Sequence, residues 1–212
     1  MAVGEITYGD TTLGEEDTAL LQEGQWLNDL LIQFYFEYLG KTARDRKERD
    51  FFFPPSSSFM LLFLDAGGAK ELLNAEILSD LRGSDRVFVA VNDNEDHTAT
   101  GGSHWSLLVF IRHESMFVHL DSCGSMNDRV ARSYARNVAP LVGASPYHFV
   151  PGRCPQQANS ADCGVFALAF AERIHGRSFA GPKSMMDSLS SVDQSCATAL
   201  RYRLRDLIQS LA

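Results

Sequence analysis

Two apolar runs joined by a four-residue turn constrain the fold more than any other feature of the sequence. The runs are His104–Ile111 and Met116–Asp121, which contain β-branched and aromatic residues, and the polar residues Arg112–Ser115 lie between them. This arrangement predicts an antiparallel hairpin. Arg86–Val91 has the composition of a further buried strand, and Tyr147–Val150 has that of a short one. The middle of the chain therefore predicts a sheet.

Helical patterns lie on both sides of these strands. Apolar residues recur at helical spacing from Leu27 to Leu39, where Asn28 can cap the start and Gly40 can end the helix. The other segments with a helical pattern are Ser56–Leu64, Glu71–Leu81, Asn127–Ala139, Cys163–His175 and Leu200–Leu211. Lys41–Asp50 is densely charged and predicts an exposed connection. Central strands with flanking helices predict an α+β domain with a central, mostly antiparallel sheet.

Composition limits the classes of protein to which the chain can belong. With 212 residues, 45% of them hydrophobic and 22% charged, the chain predicts one globular domain over residues 1–212. The net charge of −8 disfavours a nucleic-acid surface, because phosphate binding needs clustered positive charge. The longest apolar stretch, Phe51–Leu64, is interrupted by two prolines and is too short to span a bilayer. Neither nucleic acid nor a membrane is therefore an expected partner.

The cysteines predict an intracellular protein with free thiols. Cys123, Cys154, Cys163 and Cys196 form no C-x-x-C pair, which argues against a zinc knuckle or a thioredoxin-type site. No basic-then-apolar leader opens the sequence, so secretion is not expected. Free thiols fit a reducing compartment, and the cytoplasm, the nucleus or both are the expected locations.

The most informative segment for chemistry runs from Pro155 to Gly164. Within it, Cys163 stands at the predicted start of a helix, directly after Asp162. The partial positive charge and the free backbone N–H groups of a helix N-terminus favour thiolate over thiol, and the thiolate is the nucleophile. Gly164 allows another chain to approach closely. A buried structural cysteine at the start of a core helix is the alternative interpretation.

A nucleophilic cysteine needs a base, and His104 is the best placed of the six histidines. It lies at the mouth of a predicted strand, where its side chain can reach a cleft. Asp121 ends the partner strand of the hairpin, so the two side chains are expected to be neighbours, with the carboxylate orienting the imidazole. Two alternatives stay open at this point. His119, on the same strand face as Asp121, is a rival base, and Asp121 could simply cap the following loop.

Two further features complete the candidate site. Gln157, six residues before Cys163, can donate a hydrogen bond from its side-chain amide to the oxyanion formed when a thiolate attacks a carbonyl. The backbone N–H of Cys163 would be the second donor. The acidic segment Asp93–Gly102, which contains His97, predicts a loop. This loop either contacts a bound partner or is an ordinary solvated connection.

Several short motifs in the chain are specific in their order and spacing. They are Trp26-Leu-Asn-Asp29, His104-Trp105, Asp121 and Gln157-x-Asn159-x-x-Asp162-Cys163-Gly164. Together they resemble the cysteine proteases that process ubiquitin-like modifiers, the adenain-related or SUMO-protease family. Val91–Asn94 and Gly101–Val109 resemble most the deneddylase branch, which acts on the Nedd/Rub-type modifier. The similar blocks cover most of residues 24–40 and 86–170.

The resemblance implies a papain-like, adenain-like cysteine protease fold in a single catalytic domain. It implies that His104, Asp121 and Cys163 are catalytic, that Gln157 is an oxyanion donor, and that no metal or organic cofactor is needed. The substrate-binding positions that it implies are Trp26, Asn28, Asp29, Asn92, Trp105 and Gly164. The two tryptophans would roof a narrow channel for the Gly-Gly end of the modifier. The implied partners are a Nedd/Rub-type modifier and its conjugates, such as cullins, with the enzyme as a monomer.

Three other functions are compatible with parts of this pattern. A desumoylase would share every catalytic residue. An effector-type acetyltransferase would share the order of histidine, acid and cysteine, but the sequence shows no basic patch dedicated to the phosphates of acetyl-CoA. An inactive modifier-binding module would keep the fold, and the intact set of His104, Asp121, Gln157 and Cys163 argues against it.

Overall fold

The computed structural model describes residues 5–43, 49–64, 66–94, 96, 98 and 101–211, and a five-stranded sheet lies at its centre. The strands are β1 (Ile6–Tyr8), β2 (Thr11–Leu13), β3 (Asp50–Phe53), β4 (Arg86–Asn92), β5 (Trp105–Ile111), β6 (Met116–Leu120) and β7 (His148–Gly152). The helices are α1 (Glu15–Ala19), α2 (Asp29–Ala43), α3 (Pro55–Met60), α4 (Ala66–Leu72), α5 (Ala75–Gly83), α6 (Asp128–Val138), α7 (Cys163–Ile174), α8 (Pro182–Ser188) and α9 (Gln194–Leu211). β1 and β2 form a separate hairpin, and the main sheet has the order β3-β4-β5-β6-β7.

The main sheet is mixed: its centre is antiparallel as predicted, and its two outer pairs are parallel, which the sequence did not predict. The inner pairs β4–β5 and β5–β6 are antiparallel, but the outer pairs β3–β4 and β6–β7 are parallel. The predicted hairpin is confirmed, with Leu107 opposite Leu120 and Ile111 opposite Met116. The outer pairs are parallel because helical segments connect their strands: α3, α4 and α5 lie between β3 and β4, and α6 lies between β6 and β7.

Helices cover both faces of the sheet, which confirms the α+β class. On one face, Phe166 of α7 and Leu204 of α9 belong to the same buried cluster as Val109 of β5. On the other face, Tyr134 of α6 belongs to a second cluster with Leu108. Successive residues of a strand point to opposite faces, so Leu108 and Val109 serve different cores. The sheet is therefore buried on both sides.

Helix α7 runs through the interior of the protein. All of its residues except Glu172 and Arg173 are buried. The helix packs against β5 and α9. Interiors are close-packed, so a helix enclosed in this way has little freedom to shift. The first residue of α7, Cys163, is therefore held at a fixed position relative to β5.

Two predicted helices differ in extent from the observed ones. α2 does not end at Gly40 but continues to Ala43, and the glycine lies where the helix meets Phe52 of β3. The segment predicted as one helix from residue 71 to 81 forms parts of two helices, α4 and α5. The break occurs because the side chain of Asn74 accepts a hydrogen bond from the Ile77 N–H at 2.8 Å and caps the start of α5.

The predicted connection Lys41–Asp50 is shorter than expected. Its first residues belong to α2, Asp50 begins β3, and residues 44–48 lie outside the described part of the chain. β3 itself was not predicted from the sequence. A run as short as Phe51–Phe53 shows no period of its own, and it becomes a strand by pairing with β4.

The sequence predictions about thiols and membranes can also be compared with the structure. The four cysteines are free thiols. Within the described residues, no helix combines the length and the apolar character that crossing a membrane requires. The assignment of all residues 1–212 to one catalytic domain stays a prediction.

Candidate active site

The hairpin of β5 and β6 brings His104 and Asp121 together. β5 begins one residue after His104, and β6 ends one residue before Asp121, so both residues lie at the same end of the hairpin. His104 Nε2 lies 2.6 Å from Asp121 Oδ1, and both side chains are buried. The predicted contact is therefore confirmed, with the imidazole N–H donating to the carboxylate.

Cys163 completes a row of three side chains. It is the first residue of α7 and is 3% exposed. The thiol interacts with the imidazole of His104, and this interaction helps to raise the pKa of the ring. Because Asp121 occupies Nε2 of the ring, Nδ1 is the nitrogen that remains for the thiol. Cys163, His104 and Asp121 are called the Cys–His–Asp row below.

The electrostatics of the Cys–His–Asp row favour a protonated imidazole. Burial alone would lower the pKa of His104, but the hydrogen bonds and charges of Asp121 and Cys163 raise it to about 10. Burial would also raise the pKa of Asp121, but hydrogen bonds from His104 and from the N–H groups of Asn127 and Cys123 lower it. Those two N–H groups lie 3.0 and 2.9 Å from the carboxylate oxygens. An imidazolium held this way stabilises a thiolate.

The rival histidine is engaged elsewhere. His119 Nδ1 lies 2.7 Å from Asp128 Oδ1, and burial lowers the pKa of the ring in spite of this carboxylate. His175 Nδ1 lies 2.8 Å from Asp50 Oδ2. Asp50 is at the end of the sheet that holds the hairpin turn, opposite the end that holds His104. His97, in the predicted acidic loop, lies outside the described residues. The structure therefore selects His104 over His119 as the histidine that faces the cysteine.

A cavity of about 560 Å³ opens onto Cys163 and His104. Five of the six predicted substrate-binding residues line it, namely Trp26, Asn28, Asp29, Asn92 and Trp105. Apolar side chains of α3, among them Phe59 and Met60, form another part of the wall. The cavity has the size and the largely apolar lining of a ligand-binding cleft.

The residues of the cavity wall are held by hydrogen bonds to neighbouring segments. Trp26 is 49% exposed, and its indole N–H donates to the carbonyl of Ser160 at 2.9 Å. The indole of Trp105 donates to the carbonyl of Leu27 at 3.0 Å. Asn28 caps the start of α2, as predicted, because its Oδ1 accepts the backbone N–H of Leu31 at 3.0 Å. The two tryptophans are thus fixed in orientation although one of them is exposed.

Gly164, the sixth predicted substrate-binding residue, does not line the cavity but packs against Leu27 and Trp105, which do. A Cβ atom at this position would be 3.2 Å from Leu27 Cβ and 3.4 Å from Trp105 Cδ1. The first distance is shorter than an ordinary contact and the second is at the lower limit of one, so a side chain would require Leu27 to move by a few tenths of an ångström. The glycine therefore allows Leu27 and Trp105 of the same protein to pack closely, and its role in binding a substrate chain stays a prediction.

The predicted acidic loop is closed at its base by Asp93. The carboxylate accepts hydrogen bonds from the backbone N–H groups of Ser103 at 2.6 Å and His104 at 3.0 Å. Gly102 has a φ of 98°, and a Cβ there would lie 1.9 Å from Asn92 Oδ1. Only glycine fits this position. These contacts thus fix the backbone at Ser103 and His104, and with it the position of the imidazole.

Gln157 is held beside the loop that follows β6. Its Oε1 accepts the hydroxyl of Ser122 at 2.8 Å, and its Nε2 donates to the carbonyl of Asn159 at 2.6 Å. A carboxamide has two N–H donors, so one remains for another acceptor. In the described part of the chain no hydrogen bond joins Gln157 to Cys163, and its role as an oxyanion donor stays a prediction.

Arg201 of α9 was not identified from the sequence. Its side chain is 2% exposed and donates to Asp162 Oδ1 from Nε at 2.8 Å and from Nη2 at 2.6 Å. The guanidinium also donates to the carbonyls of Leu20 at 2.9 Å and Gln25 at 2.6 Å. It therefore ties the segment before Trp26 to the residue before the cysteine. The signal in the sequence was an arginine in the apolar stripe of a helix, between positions that pack in the core.

Replacement of Arg201 by alanine is expected to lower the free energy of unfolding by about 3–5 kcal/mol. The substitution removes the positive charge that pairs with the buried carboxylate of Asp162. Urea unfolding followed by circular dichroism measures this change. Arg203→Ala is the matched control on the same helix. Arg203 pairs with Glu172 at 2.6 Å on the surface, and its loss is expected to cost about 0–1 kcal/mol. Equal effects of the two substitutions would contradict a central role for Arg201.

Comparisons with known proteins agree with this geometry. Residues 25–201 match the family described as the Ulp1 protease family, C-terminal catalytic domain. The chain is 31% identical to sentrin-specific protease 8 of Homo sapiens over 210 residues, which cover 98% of this chain and 97% of that protein. It is 34% identical to NEDD8-specific protease 1 of Arabidopsis thaliana over 178 residues, which cover 80% and 74% of the two proteins.

A solved structure shows the same fold. The C-terminal Ulp1 protease domain in complex with Smt3, the yeast ortholog of SUMO, superposes with a TM-score of 0.72 at 18% identity, covering 98% of this chain and 89% of that one. The family match spans all members of the Cys–His–Asp row and both tryptophans of the cavity wall. The chain therefore belongs to the Ulp1 protease family, whose fold and cysteine-peptidase machinery it carries.

Proposed function

We propose that this protein is a cysteine protease that cleaves after the C-terminal Gly-Gly of a Nedd/Rub-type ubiquitin-like modifier. The observation that carries the chemistry is the Cys–His–Asp row at the end of a cavity. The modifier class is supported by the names of two relatives, sentrin-specific protease 8 and NEDD8-specific protease 1. Precursor processing and removal from lysines both break the bond after the same terminal glycine, so one site serves both reactions.

The first half of the reaction forms a thioester. The thiolate Sγ of Cys163 attacks the carbonyl carbon of the terminal glycine, and the π electrons of the carbonyl move onto its oxygen. When this intermediate collapses, the C–N bond breaks and His104 gives its proton to the leaving amine. The products of this step are a thioester and a neutral imidazole.

The second half releases the modifier. His104 accepts a proton from water as the water oxygen attacks the thioester carbonyl, and the C–S bond then breaks to return the thiolate. The modifier leaves with a free C-terminal carboxylate. Asp121 holds the imidazole in one orientation throughout and stabilises its charged form. These steps need no metal and no organic cofactor.

The oxyanion of both intermediates needs hydrogen-bond donors. The backbone N–H of Cys163, in the first turn of α7, has no acceptor within the helix and can serve as one donor. The remaining N–H of the Gln157 carboxamide is the proposed second donor. Its position beside Ser122 supports this role, because that residue directly follows Asp121 in the chain.

The shape of the cavity suits a tail that ends in two glycines. Trp26 and Trp105 line the same cavity as the nucleophile and are held in orientation by hydrogen bonds. A glycine tail has no side chains and can pass beside such bulky walls, where larger residues would clash. Asn28, Asp29 and Asn92 contribute polar groups that can bind the backbone of the tail.

The proposal extends to partners and location. The partners are the modifier and its conjugates, with cullins as expected targets, and the enzyme acts as a monomer in the cytoplasm, the nucleus or both. One catalytic domain spans residues 1–212. The net charge of −8 supports a partner with a basic face and argues against nucleic acid.

A desumoylase is the second candidate. It is favoured by one observation, the structural match to a protease domain bound to the yeast ortholog of SUMO. At 18% sequence identity, that match supports the same fold and does not identify the modifier. An acetyltransferase or an inactive binding module has less support, because the Cys–His–Asp row is complete and the family is one of peptidases.

The experiment that separates these functions is the measurement of kcat/KM on fluorogenic C-terminal amides of the Nedd-type modifier, SUMO and ubiquitin at equal ionic strength. We expect the Nedd-type substrate to be preferred over ubiquitin by roughly a hundredfold or more. The family resemblance implies an arginine in the ubiquitin tail where the Nedd-type tail has alanine, and an unpaired charge in an apolar groove costs several kcal/mol. About 1.4 kcal/mol already gives a tenfold preference.

Each other outcome assigns a different activity. A SUMO substrate cleaved as fast as the Nedd-type one would place the chain among the desumoylases. Equal rates on ubiquitin would make it a broad deubiquitinating enzyme. Cleavage of none of the three, with the Cys163 thiol intact, would contradict the proposed function.

A further inference from the structure

A second set of polar side chains lies buried behind the Cys–His–Asp row. Ser106 and His119 are each 1% exposed, and Asn127 is fully buried. His119 Nδ1 lies 2.7 Å from Asp128 Oδ1, and its Nε2 lies 2.9 Å from Ser106 Oγ. Asn127 Nδ2 lies 3.1 Å from the same hydroxyl oxygen. The four residues form one continuous series of hydrogen bonds, called the buried relay below.

The buried relay ends on two members of the Cys–His–Asp row. Asn127 Nδ2 lies 3.2 Å from the carbonyl oxygen of His104, and the backbone N–H of Asn127 donates to Asp121 Oδ2 at 3.0 Å. One residue thus holds both the backbone of the imidazole and the carboxylate that orients it. Asn127 Oδ1 has no hydrogen-bond partner within the described residues, so the acceptors around Nδ2 determine the orientation of the amide.

Asp128 sets the direction of the hydrogen bonds in the relay. Its carboxylate can only accept, so Nδ1 of His119 carries the hydrogen, and Nε2 of the neutral ring must accept from the hydroxyl of Ser106. The lone pairs of that hydroxyl are then free for the amide of Asn127. Burial lowers the pKa of His119, which agrees with a neutral ring. The ring N–H of His119 and the hydroxyl of Ser106 therefore each have one defined acceptor. The amide of Asn127 is shared among Ser106 Oγ, the carbonyl of His104 and the carbonyl of Val91 at 3.3 Å.

We propose that Ser106, His119 and Asp128 are positioning residues that act through Asn127 to hold His104 against Asp121. This inference rests on the proposed function, which assigns His104 as the base. None of the three lines the cavity that opens onto Cys163, and Ser106 and His119 are buried.

The physical need for such a relay arises from the place of His104 in the fold. It lies at the junction between the acidic loop and β5, one residue before the strand begins. A misplacement of about 1 Å in a catalytic group can cost roughly a hundredfold in rate. The Asp93 carboxylate accepts the backbone N–H of His104 at 3.0 Å. The carbonyl of His104 accepts the backbone N–H of Asp93 at 3.3 Å and the side-chain amide of Asn127, through which the relay acts, at 3.2 Å.

The test measures the rate at which iodoacetamide alkylates Cys163, a reaction that needs no modifier. Rates at individual cysteines are read by peptide mapping between about pH 5 and 9, which brackets the ordinary pKa values of histidine and cysteine. In Ser106→Ala we expect alkylation of Cys163 near pH 6 to slow roughly 10- to 100-fold. Alkylation of Cys196, on α9, should not change and serves as the internal reference.

Ser84→Ala is the matched control. Ser84 is also buried, and its hydroxyl donates to the carbonyl of Asp80 at 2.6 Å, at the opposite end of β4 from the active site. Thermal unfolding of both variants separates a loss of stability from a loss of positioning. With a modifier substrate, Ser106→Ala should lower kcat and leave KM unchanged, and Ser84→Ala should leave both unchanged.

A second substitution keeps the test decisive if Ser106→Ala does not fold. The side chain of Asp128 is 29% exposed, so Asp128→Ala removes the far end of the relay at a partly solvated position. It should slow the alkylation of Cys163 as well, and the double variant should show no further slowing, because both changes interrupt the same series. Wild-type alkylation rates in both single variants, or effects that add, would overturn the relay. Slowed alkylation in a protein that cleaves no modifier would support the relay and overturn the proposed function.

Discussion

Cys163→Ala is expected to abolish turnover and to leave binding of the modifier nearly intact. The substitution removes the sulfur that attacks the carbonyl, whereas the cavity wall that surrounds the tail keeps all of its side chains. Turnover is measured with a fluorogenic C-terminal amide of the preferred modifier, and binding is measured by calorimetry with the uncleaved modifier. Loss of binding together with activity would instead indicate a structural cysteine.

The other three cysteines provide the controls for this prediction. Cys123→Ser, Cys154→Ser and Cys196→Ser, made one at a time, should each leave substantial activity. Cys154 is the most informative control, because its thiol donates to the carbonyl of Asp121 at 3.3 Å and burial raises its pKa to about 12. A thiol with so high a pKa is a poor nucleophile at neutral pH. If any of these variants is folded and as inactive as Cys163→Ala, the assignment of the nucleophile is wrong.

Asp121→Ala is expected to lower kcat by about four orders of magnitude, because the imidazole loses the group that orients it. It should also change the pH profile. The pKa of His104 is raised to about 10 by Asp121 and Cys163, and activity needs the imidazolium, so activity falls as the pH rises through this value. Without the carboxylate the pKa of His104 drops, and the alkaline limb of kcat/KM moves to lower pH.

The control for this substitution is Asp187→Ala. Asp187 is an exposed acid paired with Arg153 at 3.3 Å on the surface, and its loss should change neither kcat nor the alkaline limb. Circular dichroism shows whether Asp121→Ala keeps its fold. A folded Asp121→Ala enzyme with nearly wild-type turnover and an unmoved alkaline limb would mean that Asp121 only caps the loop after β6.

The parts of the site that the sequence predicted depend on neighbours close in the chain. A short turn pairs residues that lie at similar distances on either side of it, so the positions of His104 and Asp121 around Arg112–Ser115 were enough to place them together. A helix start is likewise local, and α7 begins at Cys163 as predicted. The candidates for the nucleophile, the imidazole and the carboxylate could therefore be named before the fold was known.

Other features depended on contacts that a local pattern does not contain. Phe51–Phe53 became the edge strand β3 only by pairing with β4, and the parallel direction of this pair follows from the helices between them. Gly40 was predicted as a helix end, but packing of α2 against Phe52 keeps the helix intact through it. In both cases tertiary packing outweighed the local preference.

By itself, the sequence determined the candidate nucleophile, the candidate bases and acid, the strands of the hairpin and the resemblance to the family. Only the tertiary structure decided between His104 and His119, because both histidines lie on the same hairpin and differ in the partners that surround them. It alone showed that Arg201 reaches Asp162 across 39 positions and that Asn127 holds the row from behind. Burial and hydrogen-bond partners arise when distant segments pack together, so a pattern of neighbouring residues does not contain them.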